Sequence, residues 1–152
     1  MGGGVSIVDS GNIMLDALLS TKAVEAQAQN ISWQLKLDTP AEHPIFTLPI
    51  CTMLANGLDN ALEAATQATP KWIEVEITAT HHALMVRMQN TTATPPIPNG
   101  HWLKNGFVST KPDPDNHGLG IISMSQTIKA HGGNMNYRYN PPVFTLEMVV
   151  PL

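Results

Sequence analysis

Cysteine is almost absent. Cys51 stands alone in 152 residues, so no disulfide can close within the chain, which fits a reducing compartment. Charge is sparse as well: charged residues make up 13%, with 8 basic against 12 acidic side chains. A net charge of −4 excludes the basic footprint that nucleic-acid binding requires. Aromatics reach only 5%, and Trp33, Trp72 and Trp102 read as core or rim anchors rather than a base-stacking platform. No apolar run approaches the roughly 18 residues of a bilayer-spanning helix, and no secretory signal is visible. The histidines lack a ligand spacing such as His-x-x-x-His, which excludes a histidine metal cluster.

What is present is a hydrophobic fraction of 43%, enough for one packed core. Met1 to Gly4 read as a cloning remnant and residues 5–152 as one domain. Asn12 to Gln29 is expected to be a helix with Asn12 at its N-cap, followed by a strand from Ile31 to Leu37. From Pro49 to Gln67, Ile50, Leu54, Leu58, Ala61, Leu62 and Ala65 recur at three and four, the stripe of a core-facing helix. Trp72–Thr80 and Ala83–Gln89 read as a hairpin. Thr91 to Asn116, with five prolines, reads as a structureless lid or binding loop. A helix from Leu119 to Ala130 closed by Gly132-Gly133, and strands Met135–Tyr139 and Val143–Val149, complete the chain. That order predicts an α+β fold, with helices layered on one face of a mixed sheet.

Two features carry chemistry. Asn56 and Asn60 lie four apart on one face of the long helix, opposite its apolar stripe, with Glu63 following. An amide oxygen is a hard ligand suited to Mg²⁺, which takes few protein ligands and completes its shell with phosphates. A merely solvated helix face explains the same pattern. His117-Gly118-Leu119-Gly120 precedes the last helix, where close backbone approach and free N–H groups suit phosphate. A tight turn into a helix explains that one.

Together the two features resemble a known family. Leu54-Ala55-Asn56-Gly57-Leu58-Asp59-Asn60-Ala61-Leu62-Glu63-Ala64 resembles the N box of the GHKL superfamily, which includes gyrase, heat-shock chaperones, histidine kinases and MutL. Asn116 to Ile121 resembles its glycine box, and Gly106-Phe107-Val108-Ser109-Thr110-Lys111 its phenylalanine box. Gly11-Asn12 with Leu15 to Leu19 and Lys22 resembles the opening helix of the histidine kinases that detect peptide pheromones. The likeness runs from about Gly11 to Leu152.

The resemblance implies the GHKL (Bergerat) fold: a two-layer α/β sandwich, a mixed sheet of about five strands, three helices on one face and a long lid. It implies ATP and Mg²⁺ as ligands. Asn60 matches the metal-ligating asparagine. Asn56 matches a position that is a general base in the ATPase branches; an amide cannot take that proton, which favours kinase over ATPase. Glu63 stands where other kinases place a basic phosphate contact. The usual Asp-x-Gly-x-Gly is replaced by Met88 to Ala93, leaving Asn90 as the adenine reader, as in the pheromone kinases. Lys111, with Asn56, is the catalytic candidate, a point charge on phosphate. His117, Gly118, Leu119 and Gly120 would line the phosphates, and Thr145 the adenine.

No histidine here fits a phosphoacceptor, so the acceptor hairpin is expected outside this sequence. The chain is then expected to bind ATP without phosphorylating itself, as the cytoplasmic part of an integral membrane kinase that signals indirectly to a response regulator. The alternatives are an anti-sigma-type serine kinase and a GHKL nucleotide-binding module without catalysis.

Overall fold

A computed structural model describes residues 8–93, 102–103, 106–107 and 123–152. The first helix, α1 (Ile13–Ala28), begins differently from expectation. Asn12 holds the N-cap position with extended backbone, yet its side chain makes no cap hydrogen bond. Its Oδ1 accepts from His43 N at 2.7 Å and its Nδ2 donates to Pro40 O at 2.9 Å, tying the helix start to a distant loop. The Asp16 carboxylate, in the first turn, accepts from the backbone N–H groups of Ser10 and Gly11 at 2.9 and 3.2 Å. Gly11 makes this corner possible. Its φ is +86°, and a Cβ there would lie 2.5 Å from Ala41 Cβ. Gly11→Ala is therefore expected to cost about 1–3 kcal/mol, read from chemical denaturation; a neutral result would show that the corner can open.

β1 (Ser32–Asp38) leads through the loop into α2 (Leu48–Thr66). Thr47 caps α2 by accepting from Ile50 N at 3.5 Å, and proline sits in the first turn. Next come β2 (Trp72–Ala79) and β3 (Ala83–Thr91), the expected hairpin. Inside the stretch expected to lack structure, β4 (Trp102–Leu103) and β5 (Gly106–Phe107) form a two-residue antiparallel ribbon. At its start Thr91 still belongs to β3, and residues 94–101, 104–105 and 108–116 lie outside the described residues. A last helix, α3 (residues 123–130), precedes β6 (Asn134–Asn140) and β7 (Val143–Pro151). The expected glycine cap is present. Gly132, at φ +78°, donates to Lys129 O and Gly133 to Ile128 O, satisfying two end carbonyls of α3.

The main sheet has five strands in the order β1-β2-β3-β7-β6. β1 and β2 are parallel, joined by α2 as the crossover; the other neighbours are antiparallel. The fold is thus the expected open two-layer sandwich of three helices on a mixed sheet.

Strand alternation builds the core. Ile73, Val75 and Ile77 of β2, Leu84, Val86 and Met88 of β3, and Leu146, Met148 and Val150 of β7 pack beneath the helices. Leu15 and Leu19 of α1, Leu54 and Leu58 of α2, and Met124 and Ile128 of α3 meet them fully buried. The opposite face of the sheet is polar. Across it, Lys36, Glu76, Arg87 and Glu147 are register neighbours, alternating in sign. Arg87 pairs with Glu76, and Arg138 with Glu147 at 2.8 Å.

Candidate functional site

α2 is buried along one arc and divides its two flanks between neighbours. Gly57 marks the first flank. A Cβ there would meet Met124 Cε of α3 and Met88 Sδ of β3, both at 2.9 Å. The missing side chain is what lets α3 close against α2. One turn further along this flank lies Asn60, and Asn56 stands beside Gly57; both amides are half-buried rather than fully solvated. Asn60 Nδ2 is buried with no hydrogen-bond partner among the described residues. Burying an amide unpaired costs free energy, and such groups in native proteins commonly await a ligand or ion. Rotation about χ2 exchanges the amide nitrogen and oxygen, so the same side chain can present a hard oxygen. The residue thus fits the Mg²⁺ role that the sequence assigned to it.

Asn90, one residue before the end of β3, lies on the helix-covered face, paired with Ile73 of β2. The short connection from α2 to β2 brings the end of α2 to this same edge of the sheet. Asn90 Nδ2 donates to Thr91 O at 2.9 Å, which fixes the amide and leaves Oδ1 as an unused acceptor among the described residues. Thr91, fully buried, accepts from Trp72 N at 3.1 Å and holds the strand end in place.

Two expected members stand elsewhere. Thr145 pairs in register with Gln89, so it points to the open face of the sheet, away from Asn60 and Asn90. It is buried there, flanked in register by Gln89 and Arg138, and Gln89 Nε2 donates to its Oγ1 at 3.1 Å. The strand's own alternation, with Phe144, Leu146 and Met148 apolar and Thr145 and Glu147 polar, carried that signal. Glu63 is exposed and lines a groove of about 450 Å³ between α1 and α2, with Glu25 and Asp59. Lys111, His117, Gly118, Leu119 and Gly120 lie outside the described residues. Met124, six positions after Gly118, nevertheless packs on Gly57, so the last helix and the amides of α2 share one side of the sheet.

The second flank of α2 faces α1. Asp59, adjacent to Asn60, receives a hydrogen bond from Lys22 Nζ at 2.5 Å, and Glu25 lies 3.3 Å from the same ammonium. Sequence reading gave Lys22 no role beyond the family likeness, because its partner lies 37 positions away on another helix. Cys51 is buried on α2, and burial raises its pKa, which keeps the thiol protonated and inert. His43 accepts from Ile45 N at its Nδ1 and contacts Thr80 O through Nε2 at 3.0 Å, a structural role. Among the described residues no group of three or more His, Cys, Asp or Glu could hold a metal. No helix among them is long and apolar enough to cross a membrane.

Residues 46–151 match the family profile described as the GHKL domain. No curated protein is recognisably similar in sequence. Among solved structures, the nucleotide-free catalytic domain of histidine kinase ThkA is 21% identical, with 94% of this chain and 93% of that chain covered and a TM-score of 0.66. The mycobacterial sensor histidine kinase MprB is 16% identical over 91% of this chain and 93% of that one, with a TM-score of 0.58. Full-length ShkA in complex with AMPPNP is 15% identical over 96% of this chain and 30% of that one, with a TM-score of 0.65. At these identities the likeness establishes the fold.

Proposed function

This chain belongs to the GHKL domain family, and from that premise we propose that it is the Mg·ATP-binding catalytic domain of a two-component sensor histidine kinase. The observation that carries the reading is the buried, unpartnered amide of Asn60 on the α3-facing flank of α2. The histidine kinase fold supports it, as does AMPPNP in the complex of full-length ShkA.

In this reading Asn60 holds Mg²⁺ and Asn56 sits beside the phosphates. Bound Mg²⁺ supplies charge neutralisation at the transferring phosphoryl group. Gly118 and Gly120, with Leu119, His117 and Lys111, would supply the contacts to phosphate. Asn90 Oδ1 accepts from the adenine amine. Glu63, in the groove between α1 and α2, and Thr145, on the other sheet face, are left out of this arrangement.

Asn56 cannot act as a base toward water at neutral pH, so the site holds ATP for transfer rather than for hydrolysis. Transfer goes to a histidine on a dimerisation hairpin outside this sequence, and from there to a response regulator. The opening helix and Asn90 favour the peptide-pheromone subfamily, with this domain on the cytoplasmic side of an integral membrane parent.

The first test is titration of the chain with a non-hydrolysable ATP analogue, with and without Mg²⁺. Binding that strengthens with Mg²⁺ is expected; no affinity at millimolar nucleotide would overturn the reading. Mixing the chain with Mg·ATP and the parent's hairpin in trans is expected to yield acid-labile phosphate on the hairpin. Acid-stable phosphate would point to a serine kinase, and its absence to a module without catalysis.

A further inference from the structure

Lys22 is 9% exposed, though neither the fold's core nor the nucleotide reading uses its charge. It is a lysine drawn into the seam between α1 and α2, with its ammonium shared between Asp59 at 2.5 Å and Glu25 at 3.3 Å. Burial alone would lower its pKa. The hydrogen bond and charge of Asp59, joined by Glu25, outweigh that and raise it above the ordinary lysine value. The Lys22 ammonium therefore keeps its charge throughout the neutral range.

What the pair does follows from helix geometry. Successive residues on a helix are about 100° apart. Asp59 and Asn60 therefore stand on adjoining sides of α2, one turned to α1 and the other to the flank that meets α3. Packing by smooth apolar side chains resists separation of two helices better than it resists rotation of one about its axis. A charged hydrogen bond of fixed partners resists that rotation directly. A turn of 10–20° displaces a side chain on the helix surface by on the order of 1 Å, enough to spoil a ligand constellation.

We propose that Lys22 is a positioning residue: by holding Asp59 it fixes the rotation of α2, and so the placement of the Asn60 amide toward its metal and nucleotide. This rests on the function proposed above. It predicts that α1, which touches no ligand, sets the Mg²⁺-dependent part of nucleotide affinity.

The test uses the full chain, Mg²⁺ and a non-hydrolysable ATP analogue. The readout is the ratio of affinities with and without Mg²⁺, measured well below the melting temperature of each variant. A purely structural role would lower both affinities together and leave the ratio unchanged. Lys22→Met keeps the apolar stem and removes the charge. Asp59→Ala removes the partner at a side chain that is 58% exposed, so it stands as the second variant should Lys22→Met fold poorly. Each is expected to reduce the ratio by roughly 5- to 20-fold, on the scale of a constellation loosened by about 1 Å. Asp59→Asn keeps an oxygen for the ammonium and is expected to restore most of the ratio. Variants with the wild-type ratio would overturn the proposal while leaving the nucleotide site intact. Wild type without any Mg²⁺ dependence would instead remove the site itself, and the positioning role with it.

Discussion

Asn60→Ala is expected to abolish most of the Mg²⁺-dependent nucleotide affinity while leaving the fold as stable as before or more so. A hydrogen bond or ligand bond to a charged partner contributes about 1.5–3 kcal/mol, so the loss should be roughly 10- to 100-fold in dissociation constant. Ordinarily, truncating a half-buried polar side chain destabilises. Here the amide has no partner among the described residues to lose, and its buried nitrogen already costs free energy. Alanine is also the better helix former. Unliganded stability should therefore hold or rise by up to about 1 kcal/mol. Isothermal titration and thermal melts on the same preparation check both halves. Asn60→Asp retains an oxygen ligand and should retain Mg²⁺ dependence. Unchanged Mg²⁺-dependent binding in the alanine variant would remove Asn60 from the site, whatever the melts show.

Leu58→Ala is expected to produce the opposite pattern. Leu58 is fully buried at 0% exposure on the sheet-facing arc of α2. It lies two positions before Asn60 without sharing its environment. Truncation removes transfer free energy and leaves a cavity, together about 2–5 kcal/mol. For a domain of this size that is a fall in melting temperature of roughly 6–15 °C. Saturating Mg·nucleotide should recover part of it, because only the folded state binds. A loss below about 1 kcal/mol would show that α2 does not pack on the sheet through this residue. The two variants separate what α2 does for the fold from what it does for a ligand, two residues apart on one helix.

The architecture was legible wherever periodicity is local. The stripe through Ile50, Leu54, Leu58 and Ala65 described α2 to within a residue at each end, and alternation described β2, β3 and β7. The five-strand sheet followed from element order. Contacts between distant residues were not legible. Asn12 has the composition of a helix cap, yet its amide serves His43 and Pro40, 31 and 28 positions away, which no local pattern reveals. Lys22 and Asp59 share no pattern in the chain and meet only through the pairing of two helices. The face taken by Thr145 was hidden for a different reason. A strand turns alternate residues to opposite faces, and family likeness near a position does not fix which face it takes. The tight contact at Gly57 lay inside a recognised motif but was invisible there, since what matters is the atoms of Met88 and Met124 that come to it.

The far side of the sheet has a consequence of its own. Lys36, Glu76, Arg87, Glu147 and Arg138 alternate in sign across the five strands, and beside them Met85 and Val149, register partners on the same face, leave a small apolar patch in water. A surface that settled on this face would cover the Met85–Val149 pair and would have to leave room for the Arg87–Glu76 and Arg138–Glu147 pairs, which as exposed ion pairs contribute little by themselves.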